Sequence, residues 1–171
     1  MVGTSDTTLI VLRGNSGSGK TTLAHGVQRR RGRDQVAVIS QDVVRRDVLW
    51  ANDRPGNPAI GMIDLMARYT LDQGFAVVVE GILHPERYGE MLKGLARDHR
   101  GKTLAYFWDL PFEETVRRHA TKPKAAEFGE AEMRDWWYGT ALVDGLNEAF
   151  IGVDETPDAA LQRVNADAGW A

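Results

Sequence analysis

The chain has 171 residues, 43% hydrophobic and 26% charged, with a formal net charge of −3, an isoelectric point near 5.8 and no cysteine. That length suits one hydrophobic core and predicts a single domain over residues 1–171. The missing cysteine excludes disulfides, thiol catalysis and cysteine-type zinc sites and fits a cytoplasmic protein, while the acidic balance argues against nucleic acid as the main partner.

No apolar run approaches the ~20 residues that span a bilayer, and MVGTSDTT lacks a basic-then-apolar signal pattern, so no membrane role is expected. In chain order, TLIVLR (8–13) reads as a buried strand, and Lys20 to Arg31 as a helix with Leu23, Ala24 and Val27 at helical spacing. The cluster Arg29-Arg30-Arg31 with Arg33 reads as the solvated end of that helix, where cations meet the negative end of the dipole. A second strand covers 35–40, a helix 42–50, a break NDRPGNP, and an amphipathic helix 59–73 stopped by Gly74. FAVVVE (75–80) is a third strand of the kind buried on both faces, followed by a helix over 85–98. A fourth strand spans 103–109, and Pro111 opens the next helix in its favoured first turn. The polar segment near 120–138 reads as a short lid, Phe150–Val153 as a fifth strand, and Pro157 as the start of a last helix. Strand alternating with helix five times predicts an α/β fold with a parallel sheet covered on both faces.

Gly14-Asn15-Ser16-Gly17-Ser18-Gly19-Lys20-Thr21 matches G-x-x-x-x-G-K-[ST] between a strand and a helix, with Thr22 next in line. Glycines let successive backbone N–H groups turn inward around an anion, and the following helix adds its positive dipole end. Lys20 is placed to bridge the β- and γ-phosphates of ATP, and the Thr21 hydroxyl to ligate Mg²⁺. With glycine at about 7% of residues, a chance match in such a chain is on the order of one in two hundred.

Ligands of open α/β sheets sit at the carboxyl ends of strands, so the other strand ends carry the next candidates. Asp42, after the second strand, can accept a proton from a substrate hydroxyl, with Arg45 and Arg46 about one turn on; Asp42 can equally cap the helix, and both roles can hold. Glu80, ending VVVEG, can orient a metal-bound water or share the base role. His84 and Tyr88 can line a substrate pocket or simply pack. Arg118 and Lys122, four apart, share a helix face suited to neutralising a transferring phosphoryl group, or to solvent. Trp136, Trp137 and Tyr138 read as packing. Trp50, Met62 and Met66 with His84 and Tyr88 suggest an acceptor with apolar surface.

The order of phosphate loop, D-x-x-R, VVVEG and D-x-P-x-E-x-x-x-R-R resembles the small P-loop kinases that phosphorylate hydroxyls. This group includes chloramphenicol phosphotransferase, the zeta-toxin kinases and gluconate kinase, within the adenylate-kinase-like fold. The resemblance spans nearly the whole chain. It implies a three-layer P-loop NTPase fold whose five-stranded parallel sheet has the order 2-3-1-4-5. It also implies Asp42 as base, Arg45 or Arg46 as substrate contact, and Arg118 at the ATP adenine or phosphates. A second arginine often stands where this chain has Lys122, which keeps the charge but loses the bidentate fork.

The expected activity is Mg²⁺-requiring transfer of the ATP γ-phosphoryl group to a hydroxyl of a small molecule, such as an antibiotic, nucleoside or sugar-like acceptor. Lys20, Asp42, Glu80 and Arg118 would carry it. The rival readings are an NTP hydrolase, although no N-K-x-D guanine signature is present, a non-catalytic nucleotide-sensing module, and a 5′-hydroxyl polynucleotide kinase, which the net charge disfavours.

Overall fold

The structure, a computed structural model, describes residues 1–121 and 123–170. Five parallel strands form one sheet in the order β2-β3-β1-β4-β5: β1 Thr8–Gly14, β2 Val36–Ser40, β3 Ala76–Gly81, β4 Lys102–Trp108 and β5 Ala149–Ile151. The helices between them are α1 Lys20–Arg31, α2 Pro58–Asp72, α3 Pro85–Asp98, α4 Phe112–Ala120, α5 Glu130–Asp135 and α6 Pro157–Ala168. The strand order is the one the resemblance implied.

The central strand shows why the sheet is covered on both faces. Leu9, Ile10, Val11 and Leu12 are all fully buried. Leu9 and Val11 point to α2 and α3 and pack with Ile63, Leu71 and Leu92. Ile10 and Leu12 point to α1 and α6 and pack with Val27 and Val164. Each such side chain contributes about 1.5–3 kcal/mol by burial, so β1 anchors two core layers at once. The helices start where their sequences direct. Asn57 Oδ1 accepts from the Ala59 amide at 3.0 Å with Pro58 in the first turn, and Thr156 with Pro157 repeats the device for α6.

Strand register sets the height of the site. Leu12, Glu80 and Ser40 lie abreast on β1, β3 and β2. The phosphate loop, Glu80 and the turn after β2 therefore emerge at one edge.

The stretch expected as an α-helix over 42–50 is instead a π-helix over Val43–Val48. Six residues are too short for periodicity to separate the wider turn from an α-turn, and such turns concentrate at functional sites. Asp42 itself has helical backbone angles, φ −64° and ψ −43°, and makes no side-chain cap bond. A capping residue needs an extended backbone, so the cap reading of Asp42 gives way. Among the described residues, no helix is long and apolar enough to cross a membrane.

Candidate active site

The phosphate loop runs from the end of β1 to the start of α1. At Gly17, φ is +81° and an added Cβ would lie 2.6 Å from the Thr115 carbonyl oxygen, so only glycine fits that turn. The Lys20 ammonium is buried and curls back into the loop, donating to Asn15 O at 2.8 Å and Ser18 Oγ at 3.0 Å. Gly19 caps α1 with φ 112°. Thr21 is the second residue of the helix, and its hydroxyl donates to Glu80 Oε2 at 3.2 Å, while the Glu80 side chain is buried at the strand end. The neighbouring Thr22 is exposed.

Arg118 braces the loop from outside. Its Nη1 donates to Ser18 O at 3.1 Å, and its Nε donates to Glu114 Oε1 at 2.5 Å. Arg117 and Arg118 together hold the Glu114 carboxyl down to about 2, well below the usual carboxylate range.

Above the loop lies a cavity of about 870 Å³. That falls in the upper part of the range of about 300–1,000 Å³ common for small-ligand sites. Ser16, Gly17, Ser18, Gly19, Lys20, Thr21, Thr22 and Glu80 line one end. At the other end stand Gln41, Asp42, Arg45, Arg46, Asn52, Asp53 and Arg87, with Phe128, Trp136 and Tyr138 closing the side. The half-exposed Asp42 carboxylate sits 3.6 Å from both Arg45 Nη2 and Arg46 Nε.

Asp53 is the hub of this far wall. Its Oδ2 accepts from Arg87 Nη1 at 2.9 Å and Gln41 Nε2 at 3.4 Å. Its Oδ1 accepts from the Tyr88 hydroxyl at 3.1 Å and Asn57 Nδ2 at 3.4 Å. Gln41 in turn accepts the Leu83 amide at 2.8 Å. This close approach depends on Gly81, where a Cβ would stand 2.5 Å from Gln41 Oε1. Arg87 Nη2 reaches the Tyr138 hydroxyl at 3.3 Å.

Several expected residues lie elsewhere. Tyr88 is fully buried and does not line the cavity; it supports Asp53 from behind. His84 faces away from the large cavity, its ring 4.0 Å from that of Tyr138, and burial followed by the Arg87 charge pushes its pKa down. Gly14 ends β1 against Trp108, and the Asn15 side chain turns to the far segment, donating to Gly139 O at 2.9 Å and accepting from the Tyr138 amide at 2.9 Å. Arg118 does not line the cavity. Lys122 lies outside the described residues.

The expected apolar acceptor surface is also corrected. Trp50 is 92% exposed, Met62 packs on the core, and neither they nor Met66 line the cavity. Of the three aromatics read as packing, only Trp137 packs away from the site, edge-on to Phe112, while Trp136 and Tyr138 form the cavity side. Asp53 and Arg87 went unread because they enter from a turn and a helix that no short motif links. The only local signal was a charged side chain inside NDRPGNP and another just after the Pro85 helix start.

Thr21 and Glu80 offer a hydroxyl and a carboxylate oxygen 3.2 Å apart beside the phosphate loop, a hard-oxygen pair that fits Mg²⁺. Among the described residues no group of three or more His, Asp or Glu side chains converges on a metal position, so nucleotide oxygens would complete the coordination.

The family model described as AAA domain matches residues 9–139. No curated protein matches in sequence. The fold is similar to the Mycobacterium tuberculosis APS kinase in complex with AMPPNP and APS, at 20% identity and TM-score 0.73 over 95% of this chain and 98% of that one. It is similar to a gluconokinase from Sinorhizobium meliloti 1021 at 14% identity and TM-score 0.64 over 97% and 93%. It is also similar to the Deinococcus radiodurans tunicamycin resistance protein at 15% identity and TM-score 0.65 over 96% and 97%.

Proposed function

The chain belongs to the AAA domain family, and from that premise we propose that it is an ATP-dependent kinase acting on a hydroxyl of a small molecule. The carrying observation is that the Asp42 carboxylate lines the same cavity as the phosphate loop. A group able to take a proton and a cradle able to hold a triphosphate thus share one space.

In this reading the amides of 16–20 hold the β-phosphate, and Lys20 swings from Asn15 O and Ser18 Oγ to the β,γ-bridge. Mg²⁺, when bound at Thr21 and Glu80, would draw negative charge from the phosphate oxygens. The acceptor oxygen forms a bond to the γ-phosphorus as the bond from that phosphorus to the bridging oxygen breaks and ADP leaves. The acceptor proton passes to Asp42. Arg118 holds the loop through Ser18 O, and Phe128, Trp136 and Tyr138 of the expected lid close the side of the cavity. Support comes from the kinase names among the similar structures, whose own activities are theirs.

The test is ADP release with ATP and Mg²⁺ across hydroxylated acceptors, in the wild type and in Asp42→Asn. Acceptor-dependent release should fall by about 10²–10⁴ in the variant, with ATP affinity retained. Release that is equal with and without acceptors would make the protein a hydrolase. ATP binding without turnover in either protein would make it a sensing module.

A further inference from the structure

Resting on the kinase reading, we propose that the acceptor carries an anionic group, a phosphate, sulfate or carboxylate, held by Arg46 and Arg87 at the far end of the cavity.

The far wall presents three arginines, Arg45, Arg46 and Arg87, against two carboxylates, Asp42 and Asp53. Their states differ in a way that leaves positive charge for a ligand. Asp53 already accepts from Arg87, Gln41, Tyr88 and Asn57, so its charge is spread over four donors of the protein itself. Arg87 is fixed by Asp53 on one side and the Tyr138 hydroxyl on the other, and these bonds leave most of its N–H donors unspent. Arg46 meets Asp42 only at ion-pair distance, 3.6 Å, and its guanidinium stands 5.8 Å from the Trp136 ring centre. Arg87 similarly stands 5.9 Å from the Tyr138 ring centre.

Two guanidiniums, each beside an aromatic ring and each with spare donors, enter the wall from separate elements. One sits on the π-helix after β2 and the other on α3. Arg45 differs: its Nη1 is taken by Ala51 O at 3.0 Å, and it supports the wall more than it faces a ligand. A neutral acceptor would leave the surplus positive charge of this wall partly desolvated with no ligand charge to offset it, whereas an anion gains charge-assisted bonds from the spare donors of both guanidiniums. Asp42 and Asp53 together offset two of the three arginine charges, so one positive charge is left over at the far wall for a ligand.

The test needs no turnover. Protein saturated with Mg²⁺ and a non-hydrolysable ATP analogue is titrated with sodium sulfate by calorimetry, at ionic strength held constant with sodium chloride. The analogue occupies the phosphate loop, so sulfate reports the far wall. We expect one saturable sulfate site, weakened about tenfold or more in Arg46→Ala and in Arg87→Gln, the usual consequence of losing a hydrogen bond to a charged group. Analogue affinity and the circular-dichroism spectrum should stay unchanged. Arg46 is 38% exposed, so its variant keeps the test sound even if loss of the Arg87–Asp53 pair disturbs folding.

A missing sulfate site, or one equally tight in Arg46→Ala, overturns the proposal. A matched acceptor pair, gluconate against glucose, adds a second arm with the same protein. Faster ADP release with glucose than with gluconate also counts against the proposal, and leaves the kinase reading standing. A sulfate site that persists while no acceptor stimulates ADP release supports the anion site and removes the kinase reading instead.

Discussion

At the end of the cavity that the kinase reading gives to the nucleotide, residues 16–22 form one contiguous run that a single strand delivers and a single helix receives. At the end that it gives to the acceptor, Arg45, Asp53, Arg87, Trp136 and Tyr138 arrive from a π-helix, a turn, α3 and the segment after α5. The chemistry explains the contrast. A triphosphate offers the same oxygens to every protein that binds it, and a run of backbone amides with one lysine satisfies them. An acceptor has its own shape and charge, so its wall must be assembled from side chains that only the tertiary fold brings together. Behind the loop, Arg13 ties the end of β1 to the segments that follow β3 and α5. Its Nε donates to Leu83 O at 3.1 Å, its Nη2 to Ala141 O at 3.0 Å, and its Nη1 pairs with Glu148 at 2.6 Å.

The largest expected effect breaks that tie. The Arg13 and Glu148 side chains are each 1% exposed, and burial pushes the guanidinium down from its usual range while Glu148 opposes that shift. Glu148→Ala should cost about 3–5 kcal/mol, because it leaves a buried charge without its partner. For a domain of this size that corresponds to a melting temperature lower by roughly 10 °C. A thermal melt reads it directly; a drop under about 2 °C would mean that Arg13 is not left as an uncompensated buried charge.

Next in size is Lys20→Ala, which acts on the nucleotide end alone. Turnover should fall by about 10²–10³ through loss of one preorganised cation at the transferring group. Sulfate binding at the far wall should persist in the same variant, measured as above. If both are lost together, the two ends are one electrostatic unit and the division between them is wrong.

The contrast also governs what could be read from the sequence. The sheet covered on both faces and the loop were legible in the residues, because Leu9–Leu12 is apolar throughout and the glycine-lysine motif carries its geometry locally, whereas the strand order came from the resemblance to the small P-loop kinases. Asp42, Arg45 and Arg46 were legible as candidates because they follow a strand end. Asp53 was not, since its importance lies in four donors drawn from positions 41, 57, 87 and 88. Trp136 and Tyr138 were misread as packing: an aromatic cluster looks the same in sequence whether its faces meet a core or a cavity. Asn15 was placed with the nucleotide as part of the motif, and what the motif did not reveal is that its side-chain amide ties the loop to Tyr138 and Gly139.

Asn15→Ala sharpens that last point and ranks third. It removes one donor and one acceptor, for about 1–3 kcal/mol in total. Nucleotide affinity should change little, because the loop holds phosphate through backbone amides, while the acceptor KM should rise as Tyr138 loosens. Steady-state kinetics with each substrate varied in turn separates the two. An ATP affinity that falls as far as the acceptor KM rises would return Asn15 to the nucleotide end.

The smallest effect is the dependence on pH through His84. Burial, then the Arg87 charge, lowers its pKa in the folded protein below the ordinary value of about 6.5. Its Nδ1 is buried without a hydrogen-bond partner, and its ring lies against Tyr138. The unfolded chain therefore takes up the proton at a higher pH than the folded one. The stabilising share of neutral His84 is complete above about 6.5 and is lost as pH falls through the folded value. Melting temperature should decline from pH 7.5 to 5.5 by more in the wild type than in His84→Gln. His99, lowered by its own burial, contributes equally to both proteins and so drops out of the difference. Because Tyr138 also holds Arg87, the same acidification should raise the acceptor KM in the wild type and less so in the variant. Parallel pH profiles in the two proteins would detach His84 from the cavity wall and leave Asp53 as the residue that holds Arg87 in place.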